Sequence, residues 1–140
     1  MSKSTALLTA FAIAAAPLAL LAMGATAQTS NQAPKAELTG DPARGEEQYE
    51  ATCAECHGAA ATAPTLRGII NRPIASIANY YGYSEAMKAK KSETWTVAKL
   101  DAYLKSPITF APGNLMYRDY PDAQMRADVI AFLASLPPPK

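Results

Sequence analysis

The chain has 140 residues, a formal net charge of +1, two cysteines and one histidine. That length fits a single modest domain behind any leader, and three cysteine and histidine side chains are too few for a four-ligand structural zinc site. The near-neutral charge argues against nucleic acid as a partner.

Lys3 precedes an apolar run over residues 6–23 and the small-residue exit Ala25-Thr26-Ala27. This is the pattern of a secretory signal peptide over residues 1–27, cleaved after Ala27. The run approaches the ~20 residues that cross a bilayer, so an uncleaved membrane anchor is the alternative. Pro17 and the small exit favour cleavage. Losing Lys3 from the 13 basic residues leaves 12 against 12 acidic ones, a formally neutral mature chain. Residues 28–39 are polar, small or proline with no apolar period, and read as a flexible lead-in.

A helix is expected from Asp41-Pro42, with the Asp41 carboxylate as cap and Pro42 at the first helical position, where its missing N–H costs nothing. Glu46 and Glu47 suit its positive end. Gly45, Tyr49, Thr52, Cys53 and Cys56 fall at helical spacing, so this helix is expected to deliver both thiols inward. Every cysteine and histidine of the chain lies in Cys53-Ala54-Glu55-Cys56-His57, the covalent attachment pattern of a c-type haem. Two thiols three positions apart can each add to one porphyrin vinyl group, while the adjoining imidazole reaches the iron. A thioredoxin-like redox pair would sit beside a βαβ pattern, and no Val/Ile-rich run flanks Cys53. A plain disulfide gives no reason for His57.

After His57, a loop of small residues leads to Pro64, and little regular structure is expected through Ile70. Ser84 can cap a short helix to about Lys90, and Thr94 or Thr96 can cap another that reaches Lys105, with Val97, Leu100, Tyr103 and Leu104 as its buried stripe. Pro107 ends it. A last helix over residues 121–136 aligns Met125, Val129, Phe132, Leu133 and Leu136, and Pro137-Pro138-Pro139 stops it. Without convincing strands the fold class is all-α, one domain over residues 40–136 with a tail at 137–140. A large flat cofactor would supply much of what so short a chain packs against.

The iron of a histidine-bound haem has a sixth position, and methionine is the natural candidate where no second histidine exists. Met1 and Met23 lie in the leader. Met125 falls on the apolar stripe of the last helix and Met87 in a short helix, where core packing explains them. Met116 ends the turn-forming run Pro112-Gly113-Asn114-Leu115-Met116, a loop able to aim a side chain at a cofactor. A thioether prefers ferrous iron, so His57/Met116 ligation would raise the reduction potential and leave no vacancy for oxygen or peroxide.

Taken together, the residues resemble class I cytochrome c over about residues 40–136. The anchors are Gly45 and Tyr49, the haem motif, Pro64-Thr65-Leu66-Arg67-Gly68, Tyr83, Trp95, Pro107, Pro112-Gly113 to Met116, and the segment 129–133. The resemblance implies N- and C-terminal helices crossing near Gly45 and Phe132 around one covalently bound haem. It implies that the Pro64 carbonyl orients His57, and that Arg72, Tyr83 and Trp95 meet the haem propionates. Met87 departs from the family's usual asparagine, the loop from His57 to Pro64 is short, and Ile108-Thr109-Phe110 with Leu115 replaces lysines found in mitochondrial relatives. The docking face is therefore expected to be less basic.

The resemblance implies an electron-transfer protein rather than an enzyme, carrying haem c in the periplasm of a Gram-negative bacterium. Its partners would be a redox donor and acceptor, such as a periplasmic dehydrogenase, an oxidase or a membrane cytochrome complex. A dehydrogenase subunit and an open-site haem peroxidase or gas sensor are the alternatives. Contact with the membrane is expected only if the leader stays uncleaved.

Overall fold

The computed structural model describes residues 39–139 apart from residues 60 and 61. The leader expected over residues 1–27 and the lead-in up to residue 38 lie outside them. The described residues form α1 (Pro42–Thr52), α2 (Ala54–His57), α3 (Glu85–Lys88), α4 (Val97–Lys105), α5 (Pro107–Phe110) and α6 (Ala123–Ser135). They contain no strand, only an isolated antiparallel bridge between Pro73 and Thr94. No described helix is long and apolar enough to cross a membrane.

Local chemistry sets the helix starts. The Asp41 carboxylate accepts the Ala43 and Arg44 backbone N–H groups at the head of α1, Ser84 accepts the Met87 N–H at α3, and Thr96 accepts the Lys99 N–H at α4. Thr96 rather than Thr94 is the cap, because Thr94 is held in the bridge to Pro73. Helix α3 stops at Lys88, short of Lys90. Pro107 ends α4 as expected but also starts α5: its fixed φ suits a first helical position, so Ser106 closes one helix and opens the next.

One expectation fails inside the haem motif. The face from Gly45 to Cys56 is interrupted at Cys53, which lies in a turn between α1 and α2. The Thr52 hydroxyl donates back to the Gln48 carbonyl at 2.8 Å, a bond that bends helices. Cys53 is buried and Cys56 exposed.

Helices α1 and α6 cross at Gly45, where the absent side chain lets the α6 backbone at Asp128 come into direct contact. Tyr49 and Phe132 pack beside the crossing with ring centroids 5.3 Å apart. Helix α4 adds Leu100 and Leu104 to a core that includes the fully buried Ile74 and Ile130. Polar clamps flank this core. Asp128, 1% exposed, accepts the Asp41 backbone N–H at 2.7 Å and two Arg44 guanidinium N–H groups. Arg126 donates to Asp101 on α4 at 2.7 Å and to the Tyr120 and Pro121 carbonyls.

The chain between α2 and α3 has little regular structure and is tied down from outside. The Gly68 N–H donates to the Leu136 carbonyl at 3.2 Å, and Pro138 rests against Gly68. The tail expected beyond Leu136 thus begins as part of the packing.

Candidate functional site

Helix α1 delivers Cys53 to the core, where the sulfur lies 3.4 Å from Thr52 Oγ1. Helix α2 hangs from the same residue, since the Cys53 carbonyl accepts the Cys56 and His57 N–H groups at 3.1 and 2.9 Å. Both thiols are free. A pair with one sulfur buried and one exposed straddles the boundary between core and solvent.

His57 is half-buried, and its Nδ1 lies 2.7 Å from the Pro64 carbonyl oxygen. A carbonyl can only accept, so Nδ1 carries the proton. Burial pushes the imidazole pKa down, against the opposing pull of the Pro64 bond. The ring is therefore neutral at pH 7 with the Nε2 lone pair free, the state a metal requires. Two free thiols, one neutral imidazole and no competing ligand cluster fit haem c. Among the described residues, no three His, Cys, Asp or Glu side chains gather where they could hold a metal ion.

The loop carrying Pro64 is pinned at several points. Ala63 N–H donates to the Cys56 carbonyl at 3.1 Å, and the Tyr49 hydroxyl donates to the His57 carbonyl at 3.3 Å. Beside it lies a cleft of about 670 Å³ lined in part by Tyr49, His57, Thr65, Phe132, Glu46 and Glu50.

Arg72, Tyr83 and Trp95 form one neighbourhood. The Trp95 backbone N–H donates to the Arg72 carbonyl at 2.9 Å and the Asn71 backbone N–H to the Trp95 carbonyl at 2.8 Å. Tyr83 is pushed up in pKa chiefly by burial, while its bond with the Ile77 backbone and the Arg72 charge pull it down. Trp95 is buried, with Phe110 stacked at 5.6 Å and Tyr103 edge-on at 5.2 Å. The Arg72 guanidinium is engaged with backbone carbonyls at Thr65 and Arg67.

Met116 is half-buried against the core. The run before it is a β-turn in which the Asn114 N–H donates to the Ala111 carbonyl at 3.2 Å, with Pro112 and Gly113 central. Gly113 has φ 74°, which a type II turn requires at its third position. The Asn114 amide then donates to the Tyr103 hydroxyl and, at 3.3 Å, to the Met116 carbonyl. Sequence reasoning missed this tether. Asn114 reads as an ordinary turn residue and Tyr103 as one member of an apolar stripe, so neither announces a shared polar contact.

Residues 40–104 match the family described as cytochrome c oxidase, cbb3-type, subunit III. The chain is 42% identical over 106 residues to cytochrome c-type cyt cy of Rhodobacter capsulatus, a match covering 73% of this chain and 52% of that protein. It therefore spans about half the length of that relative. It is 37% identical to cytochrome c2 of Rhodopila globiformis over 69% of this chain and 94% of the other. Cytochrome cH from Methylobacterium extorquens superposes with a TM-score of 0.62 at 32% identity, over 69% of this chain and 99% of that one. With this helical fold, the Cys53-to-His57 motif and these relatives, the chain belongs to the class I cytochromes c, electron carriers with covalently bound haem c.

Proposed function

We propose that this chain is an exported monohaem electron carrier whose iron is held by His57 and Met116. Cys53 and Cys56 form the two thioether links. His57 offers Nε2 while Pro64 holds the Nδ1 proton, and Met116 offers its thioether from the loop that Asn114 tethers. Arg72, Tyr83 and Trp95 supply donors for the propionates. The haem supplies a one-electron Fe(II)/Fe(III) couple, and the chain's part is a fixed ligand set in a dry setting, so little rearranges with each transfer. The donor and acceptor are redox proteins in the periplasm, a dehydrogenase, an oxidase or a membrane cytochrome complex.

The observation that carries this reading is the 2.7 Å contact of His57 Nδ1 with Pro64 beside two free thiols. The test is to mature the chain in a host that attaches haem, and to record intact mass and the spectra of both redox states. One haem per chain and a low-spin spectrum without carbon monoxide binding are expected. Bare polypeptide would refute the attachment, and a high-spin wild type that binds carbon monoxide would refute the sixth ligand.

A second reading, a haem subunit held stably by a dehydrogenase, is favoured by the exposure of Leu115 at 63% and Tyr117 at 82% on either side of Met116. Apolar docking makes electron-transfer rates nearly independent of ionic strength, whereas a steep salt dependence refutes it.

A further inference from the structure

The Arg72 guanidinium donates through Nη2 to the Thr65 carbonyl at 2.7 Å and through Nη1 to the Arg67 carbonyl at 2.9 Å. Thr65 follows Pro64 directly. The carbonyl that Arg72 holds and the carbonyl that His57 uses therefore belong to adjacent residues. Arg72 is itself fixed at the backbone: its N–H donates to the Ile69 carbonyl at 3.0 Å, and its carbonyl accepts the Trp95 N–H at 2.9 Å. One line of bonds thus runs from the imidazole through Pro64, Thr65 and Arg72 to the backbone of Trp95, whose side chain is buried.

The segment from Pro64 to Arg67 lies in neither helix nor strand, and the bond from Arg67 N–H to Thr65 Oγ1 at 3.3 Å is local to it. Something outside must set its position. A guanidinium suits this task because its rigid fork can hold two carbonyls at once, which a lysine ammonium on a flexible stem does not reproduce.

We propose that Arg72 is a positioning residue for His57: by clamping the Thr65 and Arg67 carbonyls it holds the Pro64 carbonyl where the Nδ1–H points. The proposal rests on the reading that His57 binds the iron. It adds to the contact with the propionates, since a guanidinium has five N–H donors and two are used here.

The two roles move the reduction potential in opposite directions. An acceptor on Nδ1–H makes the imidazole more basic and favours ferric iron, so loosening it raises the potential. Loss of a nearby positive charge also favours ferric iron and lowers it. Arg72→Lys keeps the charge and isolates the first effect.

The experiment uses ¹⁵N-labelled, haem-loaded wild type, Arg72→Lys and Arg72→Met, with Lys91→Met as an exposed cation-loss control. Solvent exchange of the His57 Nδ1 proton is read by NMR in the reduced state, beside the potential. Both Arg72 variants are expected to exchange at least roughly tenfold faster, Arg72→Lys to show a raised potential, and Lys91→Met to match the wild type in exchange. Wild-type exchange and potential in Arg72→Lys would overturn the proposal. Should the variants not fold, the wild type decides alone: protected Arg72 Nη protons with cross-peaks to the amide protons that follow the Thr65 and Arg67 carbonyls support the clamp, and freely exchanging ones, or protected ones without those cross-peaks, overturn it. A wild-type spectrum lacking histidine ligation sinks both readings, whereas a normal spectrum with unmoved Arg72 variants sinks this one only.

Discussion

A methyl group added at Gly45 would overlap the Asp128 carbonyl oxygen and sit 2.9 Å from the Phe132 Cβ. The first and last helices of the domain therefore meet backbone against backbone, and the atoms in the way cannot swing aside as a side-chain tip could. Because α1 ends at Thr52, next to Cys53, an error in this crossing is passed directly to the attachment site.

Gly45→Ala is expected to cost about 3 kcal/mol, at the upper end of overpacking penalties because the clash is with main chain. Guanidinium unfolding of the haem-loaded protein, followed by Trp95 fluorescence, measures it. A cost below about 1 kcal/mol, within the range of tolerated core changes, would mean that the two helices can separate without loss.

The same crossing carries an acid-sensitive clamp. Arg44, and then the Asp41 backbone N–H, hold the Asp128 carboxyl down to about 2, with burial opposing them. A carboxyl depressed in the folded state lends stability above its ordinary value near 3.8, and that stability is lost as pH falls toward 2. Wild-type stability should therefore drop across this window, and Asp128→Asn should flatten that part of the curve. Parallel acid profiles for the two proteins would show that the Arg44 contact does not survive in solution.

Much of this architecture is legible in local chemistry. Asp41, Ser84 and Thr96 announce helix starts because each cap acts within three residues of itself, and the haem motif is legible because its ligands are contiguous. The break at Cys53 is not, since periodicity counts positions and does not register the back-bond that Thr52 makes just before it. Asp128 looks like a misplaced acid in an apolar helix until Arg44, 84 residues away, comes to meet it. Arg72 fails for a similar reason: its acceptors are backbone carbonyls, which every sequence contains and none advertises.

Tyr103 contributes to the alkaline limit, beside Tyr49, Tyr83 and Tyr120, whose hydroxyls burial also pushes up. Burial pushes the Tyr103 hydroxyl up to about 12, and the Asn114 bond pulls the other way. For a phenol this favours the neutral form in the folded state, so stability present below about pH 10 is lost as pH rises toward 12. Tyr103→Phe should remove its share of that loss. Asn114→Ala should push the hydroxyl higher still and cost about 1 kcal/mol at neutral pH for a lost hydrogen bond. Unfolding free energies across this range distinguish the three proteins, and an unchanged alkaline slope in Tyr103→Phe would rule out its contribution.

Three methionines lie within the described domain, and their surroundings separate them. Met87 is 3% exposed, in the core. Met125 faces a small gap shared with Cys53, Leu104, Tyr120, Arg126 and Val129, where a flexible thioether fills irregular space. Met116 is half-buried in a loop whose carbonyl is tied by Asn114. Leucine conserves most of the volume of methionine but has no sulfur, so it tests ligation with little disturbance of packing. Met87→Leu and Met125→Leu are expected to cost less than about 1.5 kcal/mol each and to leave the spectra of both redox states unchanged. Met116→Leu should instead give a high-spin ferric form, bind carbon monoxide when reduced, and lower the potential, because the soft ligand that favours ferrous iron is gone. A spectral change confined to Met87→Leu or Met125→Leu would move the sixth ligand to that residue.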